Sequence, residues 1–121
     1  MLILREKKFL IKMLVLFFIL INLFNIKSFA LVNPTTDFYV NDYANLLNNE
    51  TKDYIINVNK KLYNQTGAQI VVVTIPSLEE NSLEEYANQL FNKFGIGDKT
   101  KNNGVLLLLS LKERQFRIEV G

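Results

Sequence analysis

From Gln69 to the last residue, the spacing of apolar positions changes several times, and each change marks an element. The run Gln69-Ile-Val-Val-Val-Thr-Ile75 is apolar on both faces apart from Thr74. Three consecutive valines favour an extended chain. A strand without alternation is covered on both sides, the habit of a parallel sheet. Pro76 ends it. Leu83, Tyr86, Ala87, Leu90, Phe91 and Phe94 then recur at helical spacing, so a helix is predicted from Ser82 to Phe94. Ser82 and Glu85 have the spacing of a capping box at its start. Gly95 stops it, with Ile96 placed to fold back on the last turn.

Val105-Leu-Leu-Leu-Leu-Ser-Leu111 fits a strand or a helix by period alone. A glycine before it and Lys112-Glu113-Arg114 after it leave too little length for a helix, so a buried strand is predicted. Phe116, Ile118 and Val120 alternate with Arg117 and Glu119, the pattern of a half-buried strand pairing antiparallel with the previous one. Upstream, Leu47, Tyr54, Ile55, Val58 and Leu62 define one face of a helix from about Asn49 to Gln65, capped by Asn48 or Asn49 and closed by Gly67. Leu31 to Tyr43, with Pro34, reads as an extended lead-in that turns at Asn41-Asp42-Tyr43-Ala44.

The order of elements predicts an α/β fold. It is a small mixed sheet with a right-handed strand–helix–strand crossover and a β-hairpin, the helices packing on the sheet. The last strand reaches Gly121 with nothing after it to cover its apolar face. The domain is therefore expected to be incomplete at the C-terminus, a fragment of a longer one.

The first thirty residues differ. Arg5, Lys7, Lys8 and Lys12 precede an apolar stretch from Met13 to Phe24, and Ser28-Phe29-Ala30 follows. That is the layout of a signal peptide cleaved after Ala30, or of an uncleaved N-terminal anchor. Residues 31–121 are left as one small domain, expected outside the cytoplasm. The leader carries five basic residues against Glu6, so of the chain's net +2 the remainder holds −2. No basic face is left to argue for nucleic acid. The chain has no histidine and no cysteine, which excludes thiol nucleophiles, His-based triads and Cys/His zinc sites.

Candidate chemistry gathers in the loop Gly95-Ile-Gly-Asp-Lys-Thr-Lys-Asn-Asn-Gly104. Gly97-Asp98-Lys99-Thr100 is not a phosphate loop, since Asp98 separates glycine from lysine and the loop joins a helix to a strand. Asp98, Asn102 and Asn103 are hard oxygen donors that suit Ca²⁺, with Asp42 a further carboxylate if the fold brings it near. The same residue types also dominate ordinary turns. Glu79, Glu80, Glu84 and Glu85 form an acidic cluster at a helix start, where they complement the helix dipole.

Four ordered segments carry a resemblance. Val40-Asn-Asp-Tyr-Ala-Asn-Leu-Leu47, Thr66-Gly-Ala-Gln-Ile-Val-Val-Val73, Leu90-Phe-Asn-Lys-Phe-Gly-Ile-Gly97 and Asn103-Gly-Val-Leu-Leu-Leu108 together resemble the TPM domain, whose bacterial members include the YgcG-like envelope proteins. The resemblance spans about residues 38–121 and implies an exported or membrane-tethered α/β domain. It implies two functions. One is a non-enzymatic module that binds a membrane or envelope protein in membrane-protein maintenance or assembly. The other is a metal-assisted acid phosphatase using Ca²⁺ or Mg²⁺ outside the cytoplasm. Asp42 and Asp98 are the carry-over metal candidates with Asn103, and Lys99 and Arg117 could supply positive charge.

Overall fold

A computed structural model, describing residues 2–23 and 30–121, places the valine run inside a four-stranded sheet. In chain order the elements are α1 (Leu2–Leu23), β1 (Val40–Asp42), α2 (Asn49–Thr66), β2 (Gln69–Ile75), α3 (Leu83–Phe94), β3 (Gly104–Ser110) and β4 (Gln115–Val120). The strands lie in the order β1-β2-β3-β4. β2 pairs parallel with both β1 and β3, and β4 closes the sheet antiparallel to β3. The α/β class, the crossover and the hairpin all match the sequence pattern.

One strand exceeds that pattern. Val40-Asn41-Asp42, read as lead-in and turn, forms β1 in register with Val72, Val73 and Thr74. Three residues with two polar members carry almost no periodic signal. They extend because buried Asn41 binds them to the sheet. Its amide donates to the carbonyls of Phe38 (2.7 Å) and Val72 (3.3 Å), and its oxygen accepts from the N–H of Thr35 (2.7 Å).

The helix ends follow their caps. The Asn48 side chain accepts from Thr51 N–H at 2.8 Å, and Gly67 leaves α2 in the left-handed conformation. Ser82 accepts from Glu85 N–H at 3.3 Å, while the Glu85 side chain contacts Gln89 instead of completing the capping box. α3 lies on one sheet face. Its Tyr86, Ala87, Leu90 and Phe94 meet Val71, Val73, Ile75, Leu106 and Leu108. Burying a side chain such as Leu90, Leu106 or Leu108 contributes about 1.5–3 kcal/mol each.

α2 takes the other face but reaches only β1 and β2. It is tied there by Asn59, which is 2% exposed; its side chain donates to Ile55 O and accepts from Ile70 N–H. Beyond α2 the apolar side of β4 is open, with Phe116 at 64%, Ile118 at 57% and Val120 at 66% exposure. α1 has no buried residue. No helix of the described residues is long and apolar enough to cross a membrane. Ser28 and Phe29, before the expected cleavage point, lie outside the described residues.

The return from α3 to β3 depends on two glycines in backbone contact. A Cβ on Gly97 would lie 2.5 Å from Gly104 N, and one on Gly104 would lie 2.6 Å from Ile96 O. Both distances are shorter than packed atoms tolerate, and the obstacles are main chain, which cannot swing aside. Gly104→Ala is expected to cost roughly 1–3 kcal/mol of stability, read as a lower denaturant midpoint. Lys99→Ala on the exposed part of the same loop should stay within about 0.5 kcal/mol of the parent. Equal midpoints for the two variants would contradict this account.

Candidate functional site

In open α/β sheets, ligands and partners are met outside the carboxyl ends of the strands. Here that edge is formed by residues 43–48 after β1, 76–82 after β2 and 111–114 after β3. Two carboxylates hold these loops in place.

Asp42, the last residue of β1, has a side chain only 3% exposed. Its Oδ1 accepts from Leu46 N–H (2.9 Å) and from the Thr74 hydroxyl (2.6 Å). Its Oδ2 accepts from Leu47 N–H (3.0 Å) and lies 3.6 Å from Lys52 Nζ. Burial pushes its pKa up. The hydrogen bonds from Thr74, Leu46 and Leu47, helped by Lys52, outweigh that and hold the carboxyl below its ordinary value. Thr74, the one polar residue of the valine strand, is thereby explained. Its hydroxyl also accepts from Ala44 N–H at 3.0 Å.

Glu113 does the same for the other two loops. It accepts from the hydroxyls of Ser110 and Ser77 and from Leu78 N–H. The Ser110 bond is the main cause that lowers its pKa. The loop it holds contains Glu79 (φ 49°) and Glu80 (φ 68°), two successive non-glycine residues in the left-handed region. That conformation costs about 1–2 kcal/mol per residue. Tyr43, Leu46 and Leu111 stand exposed along this edge. A small cleft of about 140 Å³ opens beside it among Val32, Pro76, Leu78 and Tyr86.

The loop Gly95 to Gly104 lies at the opposite end, where β3 begins. Asp98 and Asn103 are brought together there. Asn103 Oδ1 accepts from Asp98 N–H at 2.8 Å, and Asp98 Oδ1 accepts from both the N–H and the hydroxyl of Thr100. The Thr100 hydroxyl is the first cause of the lowered pKa of Asp98. Asn103 also donates to Thr66 O, and Gly97 N–H is held by Gln69 Oε1 at 2.7 Å. From Gln69 to Thr74 along β2 is about 17 Å, so the fold does not place Asp42 in this loop. Among the described residues, no three Asp, Glu, His or Cys side chains converge as a metal cluster.

Arg117 sits under α3, pairing with Glu119 at 2.8 Å and with Glu84 at 3.3 Å. It is far from Lys99 in the fold's layout, on β4 and not in a loop. Glu113, Ser77 and Ser110 had no place among the sequence candidates. A glutamate in Lys-Glu-Arg and two isolated serines form no motif, and only the parallel register brings them together.

Comparison with known proteins agrees with this geometry. The sequence pattern of the TPM domain matches residues 40–121, from the first residue of β1 to the chain's last. The chain belongs to the TPM domain family. The N-terminal domain of a protein from P. gingivalis, determined by NMR in solution, is similar to this TPM domain at 32% identity with a TM-score of 0.62. The likeness covers 69% of this chain and 53% of that one, so the chain spans about half the length of that structure. No curated protein matches.

Asp42 gives the TPM domain an acid-sensitive joint. Its folded pKa is depressed, so its contribution is present above the unfolded value near 3.9 and is lost as pH falls through the folded value. Stability should therefore drop below about pH 4. Asp42→Asn should remove about 2 kcal/mol at neutral pH, because its amide NH₂ would face the backbone donors the carboxylate now satisfies. It should also flatten part of the acid limb. Denaturant titrations at pH 7 and pH 3 check both; a variant as stable as the parent at pH 7 would refute the assignment.

Proposed function

We propose that the protein is an exported, membrane-associated TPM domain that binds or assembles with a membrane or envelope protein and serves in membrane-protein maintenance. The observation that supports this best is the carboxyl edge of the sheet. Three loops are held in fixed conformations by Asp42 and Glu113, one of them carrying the strained Glu79–Glu80 pair. Backbone strain at a surface loop persists only where surrounding bonds impose it, and such loops gather at functional surfaces. The carboxylates already accept several internal bonds each, which makes them organisers of a surface. Tyr43, Leu46 and Leu111 on that edge offer the mixed aromatic and aliphatic contact typical of protein recognition. The basic n-region and apolar stretch of the first thirty residues support export or anchoring.

A second reading is a metal-assisted acid phosphatase acting outside the cytoplasm. The family's sequence pattern carries the label TPM phosphatase, and that favours it. Asp98 and Asn103 would hold a Ca²⁺ or Mg²⁺ ion between them, with Lys99 near the phosphoryl charge. Asp42 would act from the other edge only by keeping the fold.

The test is cross-linking of the tagged full chain in envelope membranes of its own source, followed by identification of the joined protein. One membrane protein is expected, lost in Leu46→Asp and Leu111→Asp and kept in Lys99→Ala. Recovery of the chain in the cytosol, or a cross-link indifferent to Leu46 and Leu111, would sink the binding reading. Release of phosphate from para-nitrophenyl phosphate in Ca²⁺ or Mg²⁺, abolished by Asp98→Ala, would establish the phosphatase. Turnover that survives both Asp98→Ala and Asp42→Ala would remove these residues from any such chemistry.

A further inference from the structure

We propose that β4 pairs antiparallel with β4 of a second copy of this chain, about a twofold axis at Ile118. This surface is separate from the loop edge described above, so the inference goes beyond the binding function and does not depend on it.

β4 is the last strand of the sheet in the described chain. Gly121 N–H donates to Gly104 O at 3.2 Å. Backbone groups alternate sides along an antiparallel strand. Those of Glu119 and Arg117 therefore also face β3, and those of Phe116, Ile118 and Val120 point away from it. An edge strand of this length and apolarity is a template for another strand. The opposite edge, β1, has only three residues.

The sequence of β4 is self-complementary. In Phe116-Arg117-Ile118-Glu119-Val120, an antiparallel copy centred on Ile118 sets Phe116 opposite Val120 of the second copy. It sets Arg117 opposite Glu119 of the second copy, and Ile118 opposite itself. The outward N–H and C=O groups of three residues on each strand then make about six new backbone bonds. Opposite charges directly across a strand pair attract, and like charges repel.

That rule selects the register. Sliding the copy by two residues places Arg117 opposite Arg117 in one direction and Glu119 opposite Glu119 in the other. A parallel copy would set both like pairs at once. A slide of one residue sets apolar side chains on the charged face. On the α3 side, Arg117 already bridges Glu119 and Glu84, and the pairing extends this into one alternating row of charge across the axis. On the other side, the exposed flanks of Phe116, Ile118 and Val120 meet their counterparts.

The test uses charge reversal in the full chain, held in mild detergent and read by native mass spectrometry. The parent is expected as a dimer. Arg117→Glu and Glu119→Arg should each weaken self-association about tenfold or more, because each variant carries two symmetric like-charge pairs. Their circular dichroism should remain that of the parent. Mixing the two variants should restore dimers made of one chain of each, since every cross-strand pair is then opposite in charge. Contacts within one chain cannot produce that selective mixing. A monomeric parent, a dimer unchanged by either reversal, or a mixture with no excess of the mixed dimer would overturn the proposal. A parent that stays monomeric while binding lipid vesicles through Ile118 would do the same, assigning the face to a membrane.

Discussion

The parallel ladder between Gln69–Ile75 and Gly104–Ser110 is the constraint on which the other parts depend. Parallel neighbours cannot be joined by a tight turn, so a helix must cross between them. α3 is that helix, and the same crossing seals the face formed by Val71, Val73, Leu106 and Leu108. The ladder also sets where the connection must end. Gly97 and Gly104 meet main chain to main chain at its start, and any side chain there would push β3 out of line with β2. β1 is then positioned by the outer edge of the same valine strand. Its last residue, Asp42, meets Thr74 because of that register and for no local reason.

The two ends of the sheet are different chemically. At the amino end, Asp98 and Asn103 are spent largely on one another, on Thr100 and on Thr66. That is a turn organised by short polar side chains. At the carboxyl end, Asp42 and Glu113 reach across from one element to the next. Each carboxylate there replaces several backbone partners that a loop lacks. The consequence is a surface whose shape is fixed before anything binds. Preorganised loops lose less entropy when they are engaged. The positive φ values at Asn45, Glu79, Glu80 and Arg114 all fall on this edge, which is where such a surface would need them.

The sequence was legible where a single period ran long enough. The valine strand, the apolar stripe from Leu83 to Phe94 and the alternation from Phe116 to Val120 all became the elements they predicted. Asn48, Ser82, Gly67 and Gly95 cap as their residue types require. β1 was not legible, because its extension comes from buried Asn41 binding Phe38, Val72 and Thr35, contacts no window of sequence contains. The pairing of Asp98 with Asn103 follows from their nearness in one loop. The separation of Asp42 from that loop does not, since it depends on which end of a strand each occupies. Glu113 with Ser77 and Ser110 was hidden for the same reason.

The last strand shows how two readings of one alternation can both be right. Arg117 and Glu119 have the look of a solvated face, yet they lie beneath α3 and neutralise each other there with Glu84. Phe116, Ile118 and Val120 have the look of a buried face, yet they are exposed. The inversion has a physical cause. α3 packs over β3 and β4, while α2 stops at β2, so the helix cover is offset between the two faces. A charged pair under a helix is tolerable because Glu119 and Arg117 satisfy one another; an apolar strip in water has no such internal remedy. What stabilises that strip must come from contact with another surface, and the order of charges beside it restricts which surface can fit.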